Sequence, residues 1–426
     1  MTAGNGDSEL YFHGKFYRNG IFDDLYIGVN NGKICEISKF RNNARVVELE
    51  NAVFSASTDI HVHFRDPGET EKEDFSTGSM SAIFGGTTTV FDMPNNMVPV
   101  VDYEVYESKR NSLRGRSFCD YGLYTMFNGV NANIIHEESA GIKIYMGEST
   151  NAKGVEDIDE TNQALLDTIG KNVVFHGESG ECLRKSTVTV NTMCDHSLSR
   201  NTECERIALD KLNKFRISRK IVAHLSNFNN VESIQNPTFK SEMLPQHMLL
   251  SCEKMENSWG KVNPPIRDEK IRQKNFQAYL DGKIDVLSSD HAPHTEKDKG
   301  ELRYAKSGMI GVETRVPLIL ALVKKKIAPL SVFAKTCIEN PPLLFGIKKG
   351  LVEKGYQADF FTVDFSSTQR ISEERLHSKN PATPFHGFEA IFPNDVILGG
   401  EIALQGRELI EDHFGKYMPL TKSKMV

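Results

Sequence analysis

The chain has 426 residues, 39% of them hydrophobic and 25% charged, with a formal net charge of −6. Such a length can bury a large core, as two or three domains or as one barrel with an attachment, and the acidic balance argues against a nucleic-acid surface, which needs basic excess. No apolar run approaches the roughly 20 residues that span a bilayer. Met1–Asp7 lacks the basic start and apolar core of a signal peptide. Seven cysteines without a CxxC pair (Cys35, Cys119, Cys182, Cys194, Cys204, Cys252, Cys337) fit reduced thiols in a cytoplasmic protein.

From Leu10 to Val53 the text is short strands punctuated by Asn19-Gly20 and Asn30-Asn31-Gly32, the grammar of antiparallel hairpins. Residues 1–53 are therefore expected to start a small β domain. From Phe54 the pattern changes to short apolar runs separated by helix-compatible stretches. Eight runs stand out: Ser55–Val62, Thr87–Met93, Tyr121–Phe127, Gly141–Met146, Val173–His176, Ile221–Leu225, Met248–Cys252 and Asp285–Ser289. Strands alternating with helices imply βα units and a parallel sheet, and eight units across 54–350 match the size of a (β/α)₈ barrel. A doubly wound sheet competes, and periodicity does not separate the two. Residues 351–426 return to β-like text at Lys354–Asp364 and Asp395–Glu401, so the two chain ends are expected to form one small β-sandwich beside the barrel.

The polar residues fall at the ends of the runs. In Asp59-Ile60-His61-Val62-His63-Phe64-Arg65-Asp66-Pro67-Gly68, His61 and His63 share one side of an extended strand. Asp66-Pro67-Gly68 supplies turn chemistry, and Arg65 adds a cation beside the imidazoles. Later runs carry Lys143, His176, His224 and Asp290, with His294 shortly after. Each alone has an ordinary reading: a satisfied buried histidine, a snorkelling lysine, a helix-capping aspartate. Successive strand ends that all carry such groups do not share one. Catalytic residues of a barrel converge from different strand ends, and nitrogen with carboxylate ligands suits zinc. His13, His136, His196, His247, His377, His386 and His413 lack this placement and read as structural or exposed.

Asp59–Gly68 and Ser289–Lys299 resemble the two signature stretches of the dihydroorotases, within the amidohydrolase superfamily. Asp92-Met93-Pro94-Asn95-Asn96, Gly141–Met146, Lys261–Arg267, Gly308–Thr314 and Thr383–Gly387 are similar as well, in the family's order, from about Phe54 to Gly400. The resemblance implies a TIM-type metal-dependent hydrolase barrel with two zinc ions per chain. One would be held by His61, His63 and Asp290 and the other by His176 and His224, bridged by carboxylated Lys143. It implies reversible cyclisation of N-carbamoyl-L-aspartate to L-dihydroorotate in pyrimidine synthesis, with a metal-bridging hydroxide as nucleophile and Asp290 as general base and acid. Arg65, Asn95 and His294 would hold the substrate carboxylate, and Asn263 with the backbone near Gly308 the ring amide. Partners are then a small-molecule substrate, with no nucleic acid, no membrane and a homodimer left open.

One departure and one subgroup difference, the latter in favour of the bridged metal pair, bear on this resemblance. Ser55-Ala56-Ser57-Thr58 stands where the family commonly has Pro-Gly, and Lys143 stands where some bacterial members have Asp. Hydantoinases and allantoinases are the alternative, since they share the barrel and most ligands. Their substrates lack this carboxylate, and their motifs usually lack an arginine at the position of Arg65. A non-catalytic dihydroorotase-like assembly protein is the other alternative, but such relatives have lost ligands that are all present here.

Overall fold

A computed structural model describes residues 10–40, 45–235, 237–410 and 415–421; Met1–Asp7 and His413, both read above, lie outside them. The N-terminal strands β1 (Leu10–Arg18), β2 (Ile21–Asn30) and β3 (Lys33–Ser38) form an antiparallel meander, and β4 (Val46–Ser55) returns parallel to β1. Its two tight turns put consecutive residues at positive φ, Asn19 and Gly20 at 52° and 86°, then Asn31 and Gly32 at 50° and 74°. That is the backbone a two-residue hairpin turn demands, which is why Asn-Gly marks both.

After Ala56 the chain enters the second unit through β5 (Ser57–Val62), β6 (Thr87–Asp92), β7 (Asp120–Leu123), β8 (Thr125–Met126), β9 (Ile142–Tyr145), β10 (Val173–His176), β11 (Lys220–Ala223), β12 (Phe239–Met243) and β13 (Val286–Leu287). All neighbours in the series β5–β6–β7 and β8 to β13 pair in parallel. β7 and β8 are halves of one strand broken at Tyr124, whose N–H still reaches the Asp92 carbonyl at 3.1 Å. Val62 at the end of β5 forms an isolated parallel bridge with His291, beyond the end of β13. Arg315, fully buried, supports that seam: its guanidinium donates to the Leu287 carbonyl, Ser57 Oγ and Thr87 Oγ1, and lies 3.3 Å from Asp59. Phe91, Tyr124, Val174, Ile221 and Val286, one from each of five strand positions, join Phe345 in a single apolar cluster. The strand period of two places His176 on the same side as Val174, one step further along.

Seven of the eight expected runs contain these strands. The run Met248–Cys252 does not: it falls in the end of a short helix, Pro245–Leu249, and the start of a 3₁₀ turn at Cys252. The strand at that position is β12, whose Lys240, Ser241 and Glu242 hide it from an apolar-run search.

The tail supplies β14 (Phe360–Val363), β15 (Gln369–Arg370), β16 (Glu389–Ala390), β17 (Val396–Leu398), β18 (Glu401–Gln405) and β19 (Glu408–Leu409). Both chain ends do join, but not as two facing sheets: the order is one hydrogen-bonded sheet, β19-β18-β17-β14-β4-β1-β2-β3. Register shifts at His13/Lys15, Gly28/Val29 and Val396/Ile397 interrupt it. Bulges of this kind bend a sheet, and Ile34 of β3 and Ile397 of β17 share one core cluster with Phe16 and Phe360. The stretch 351–426 is also divided. β15 and β16 pair with each other, Ile391 N–H donates to the Pro317 carbonyl, and Tyr121 exchanges backbone bonds with Lys416 and Met418.

The reading of the cysteines as free thiols is corrected for four of them. Cys182 bonds to Cys204 and Cys194 to Cys252, across 22 and 58 residues, while the buried Cys119 and Cys337 stay outside both bridges. Sequence spacing carries no signal for partners that only the fold brings together. Among the described residues no helix is long and apolar enough to cross a membrane.

Candidate metal centre

The sequence-picked ligands sit on the strands or just beyond them: His61 near the end of β5 and His63 directly after it, Lys143 inside β9, His176 closing β10, His224 after β11 and Asp290 after β13. Arg65, His224 and Asp290 have left-handed backbones, at φ 61°, 41° and 49°. Non-glycine residues reach that region at a cost and hold it where the surroundings impose it, commonly at functional sites.

The side chains converge. Asp290 Oδ1 lies 3.0 Å from His63 Nε2 and 3.4 Å from His61 Nε2. His176 Nδ1 and His224 Nε2 are 3.0 Å apart. Ligand atoms of His61, His224 and Asp290 all lie within 4.8 Å of one another, a group that could hold a metal ion.

The outer ring nitrogens explain which inner ones are free. His61 Nδ1 donates to Glu242 Oε1 at 2.8 Å, His63 Nδ1 to Asn95 Oδ1 at 2.8 Å and His176 Nε2 to Glu178 Oε2 at 2.8 Å. A proton held on the outer nitrogen leaves a lone pair on the inner one, the arrangement metal-binding histidines require. Burial, the leading cause, lowers the imidazole pKa of His63 to about 3 and pushes His176 and His224 down as well. Burial works against ionisation of Asp290, yet His61, His63 and Lys143 outweigh it and hold the carboxyl below its ordinary range. Neutral imidazoles beside an ionised carboxylate make a donor set for a divalent cation.

Lys143 Nζ is fully buried and has no hydrogen-bond partner. Burial lowers its pKa to about 8, with Glu242 and Asp290 opposing. Glu242 also accepts the His224 N–H at 3.0 Å, so one buried carboxylate orients two of the histidine positions. Neither Glu242 nor Glu178 was singled out from the sequence: β12 escaped recognition, and Glu178 was visible two residues after His176 without any sign of what it touches.

The substrate-side expectations are partly redirected. Arg65, 5% exposed, donates from Nε to the Pro293 carbonyl at 3.3 Å and forms no ion pair among the described residues. Asn263 Oδ1 and the Tyr145 hydroxyl are buried without partners, and both residues line the same pocket with Ser149, Thr150 and Gly308. Asn95 is already engaged at both ends, by His63 through its carbonyl and by Thr150 O through its amide nitrogen at 3.0 Å. His294 Nε2 donates to Ser307 O at 3.0 Å and sits 3.3 Å from Arg65 Nη2. Burial, then the charges of Arg65 and Lys299, drive its pKa far down. A neutral imidazole adds no charge, so Arg65 is the cation of this pair.

A second cluster, Glu107, His136 and Glu138, is closed off internally. Arg110 pairs with both carboxylates, and His136 Nδ1 accepts the Glu138 N–H at 3.1 Å, which puts the ring proton on the nitrogen facing Glu107.

The amidohydrolase family model matches residues 53–403. The dihydroorotase of Thermoplasma volcanium is 49% identical over 408 residues, covering 96% of this chain and 97% of the relative. That of Methanosarcina acetivorans is 34% identical, covering 91% and 90%. Among solved structures, the L-hydantoinase of Arthrobacter aurescens superposes with a TM-score of 0.89 at 23% identity, over 96% of this chain and 99% of its own. A D-hydantoinase from a Thermus species gives 0.86 at 22%, over 98% and 99%. At such identities these structures speak for the fold alone, a TIM barrel with a small domain.

Proposed function

The chain belongs to the amidohydrolase family, and we propose that within it the protein is a dihydroorotase, interconverting N-carbamoyl-L-aspartate and L-dihydroorotate in pyrimidine synthesis. The observation that carries the choice of substrate is Arg65, a buried guanidinium in the pocket of the candidate ligands that forms no ion pair among the described residues. An uncompensated buried cation is costly, and a substrate carboxylate relieves it through a charge-assisted, fork-shaped contact.

The donor set fits two zinc ions, one held by His61, His63 and Asp290, the other by His176 and His224. Lys143, once carboxylated on its amine, would add an anionic oxygen ligand to the same donor set. Its orphaned amine supports that assignment, because carboxylation replaces a buried donor that has no partner among the described residues with an anionic oxygen ligand. Bound there, the metals supply a water of lowered pKa and polarise the ring carbonyl.

The chain's own groups do the rest. Asp290, ionised and open to the pocket, accepts the proton of the attacking water and returns it to the departing ring nitrogen; ring closure runs the same transfers backwards. Arg65 fixes the carboxylate, the unpartnered Asn263 Oδ1 accepts a ring N–H, and His294 braces the arginine. Asn95 holds His63.

A paired assay tests the reading: zinc-loaded protein with dihydroorotate, hydantoin and allantoin, together with metal analysis. Turnover of dihydroorotate far above the other two, with near two zinc per chain, is expected. Preference for hydantoin or allantoin moves the protein to another branch of the family, and absence of both metal and turnover makes it an assembly protein.

A further inference from the structure

Three histidines of the site are braced through their outer nitrogens, and among the described residues only the brace at His176 is ion-paired to a cation. Glu178, fully buried, takes the His176 Nε2 proton on one side. On the other it accepts Arg200 Nε at 3.1 Å on Oε1 and Arg200 Nη2 at 2.5 Å on Oε2. The relay therefore runs Arg200, Glu178, His176 Nε2, and ends at His176 Nδ1, the nitrogen that faces His224 at 3.0 Å.

Arg200 is delivered to this place with unusual firmness. It follows the helix Met193–Ser199 in the excursion between β10 and the helix Thr202–Lys214. The disulfide Cys182–Cys204 ties that excursion across its base, and Cys194–Cys252 ties its outer helix to the segment leading to Val262 and Asn263. Buried Arg267 donates to the carbonyls of Ser197 at 3.0 Å and Arg200 at 2.6 Å, and His196 Nε2 donates to the Val262 carbonyl at 3.0 Å. A surface segment with so many fixings holds one side chain in one position, at the back of one metal ligand.

We propose that Arg200 is a positioning residue for the metal held by His176 and His224: by clamping Glu178 it fixes the ring orientation and tautomer in which His176 Nδ1 is the free donor. The proposal rests on the two-metal reading above. Removing the guanidinium leaves the Glu178 carboxylate buried and uncompensated, and the hold on the Nε2 proton is what gives way. The His61, His63 and Asp290 half has its own braces, Glu242 and Asn95, and keeps them.

The test is zinc binding by chelator competition and zinc content at limiting metal, read beside thermal unfolding, for wild type, Arg200→Met and Arg200→Lys. In Arg200→Met, one of the two zinc affinities should fall about 10- to 100-fold, the range for loss of a ligand's outer partner. The other affinity should hold, and the retained content should approach one ion per chain. Arg200→Lys, which returns a cation to Glu178, should recover part of the loss. Wild-type affinity for both metals in Arg200→Met overturns the proposal, as does an equal loss of both ions with a collapsed melting transition, which marks a role in folding only. If wild type itself binds no zinc, the two-metal reading fails instead, which separates the two outcomes.

Discussion

Asn95 Oδ1 lies 2.8 Å from His63 Nδ1, and the same amide donates from its nitrogen to the Thr150 carbonyl at 3.0 Å. Both ends of the side chain have partners inside the protein, so Asn95 holds His63, a candidate metal ligand, and the loop that lines the pocket. Asn95→Ala should therefore weaken zinc binding at the His61, His63 and Asp290 position by about 10- to 100-fold. Excess zinc should restore most of the turnover without a large change in KM. Metal titration alongside steady-state kinetics checks this; a raised KM with unchanged zinc affinity would return Asn95 to the carboxylate clamp.

Arg65 stands on the opposite footing, buried, charged and without an ion pair among the described residues. A hydrogen bond to a charged group contributes about 1.5–3 kcal/mol, so Arg65→Met should cut kcat/KM for dihydroorotate by roughly 10- to 150-fold. Zinc content should stay the same, because Arg65 touches the Pro293 carbonyl and lies against His294 rather than against a ligand. Activity on hydantoin, which lacks the carboxylate, should not fall with it. Parallel kinetics on the two substrates decide the point, and an equal fall on both removes Arg65 from substrate choice.

The two residues also mark what a linear reading can and cannot find. His61, His63, Lys143, His176, His224 and Asp290 were legible because each is a chemically unusual residue at the end of a recognisable strand, and that is a local pattern. Glu242 was not, since β12 reads Phe239-Lys240-Ser241-Glu242-Met243 and three polar residues in five conceal a strand whose Glu242 is buried. Asn95 was legible as a pocket residue but not in its role, because a residue name does not say which group its amide faces. The single curled sheet and the pairs Cys182–Cys204 and Cys194–Cys252 depend on contacts between distant segments, for which local periodicity has no term.

Gly308 forms part of the pocket wall at φ 147°, and a Cβ there would stand 2.3 Å from the Ala292 carbonyl oxygen and 3.0 Å from His294 Cδ2. Neither neighbour can retreat cheaply, as the Ala292 N–H is bonded to the Met309 carbonyl and His294 to Ser307. Gly308→Ala should lower kcat/KM and stability together. Gly300→Ala, whose nearest neighbour would be the Lys297 carbonyl at 3.7 Å, should leave activity unchanged. Matched kinetics and melting curves for the two variants check this.

Lys349 joins the two units of the fold. Its buried ammonium lies 2.7 Å from Asp120 of β7 and 2.5 Å from Asp359, which immediately precedes β14. Asp359 also accepts from Thr88 Oγ1 and from the Gly399 N–H, so the ion cluster gathers a barrel strand and the small sheet at one point. Burial disfavours the charge on Lys349, but Asp120 and Asp359 outweigh it and raise the pKa above the ordinary lysine value of 10.5. A raised folded-state value means that this stabilisation is present in full below the ordinary lysine range and is lost only as pH climbs through the raised one. At neutral pH, Lys349→Met leaves two carboxylates facing a hydrophobic stem, and breaking a buried pair from one side costs about 3–5 kcal/mol. Denaturant unfolding at pH 7 should show that loss. Zinc stoichiometry of the folded fraction should be unchanged, because none of the three residues touches the metal centre. If Lys349→Met unfolds at the wild-type midpoint, the cluster does not hold the units together.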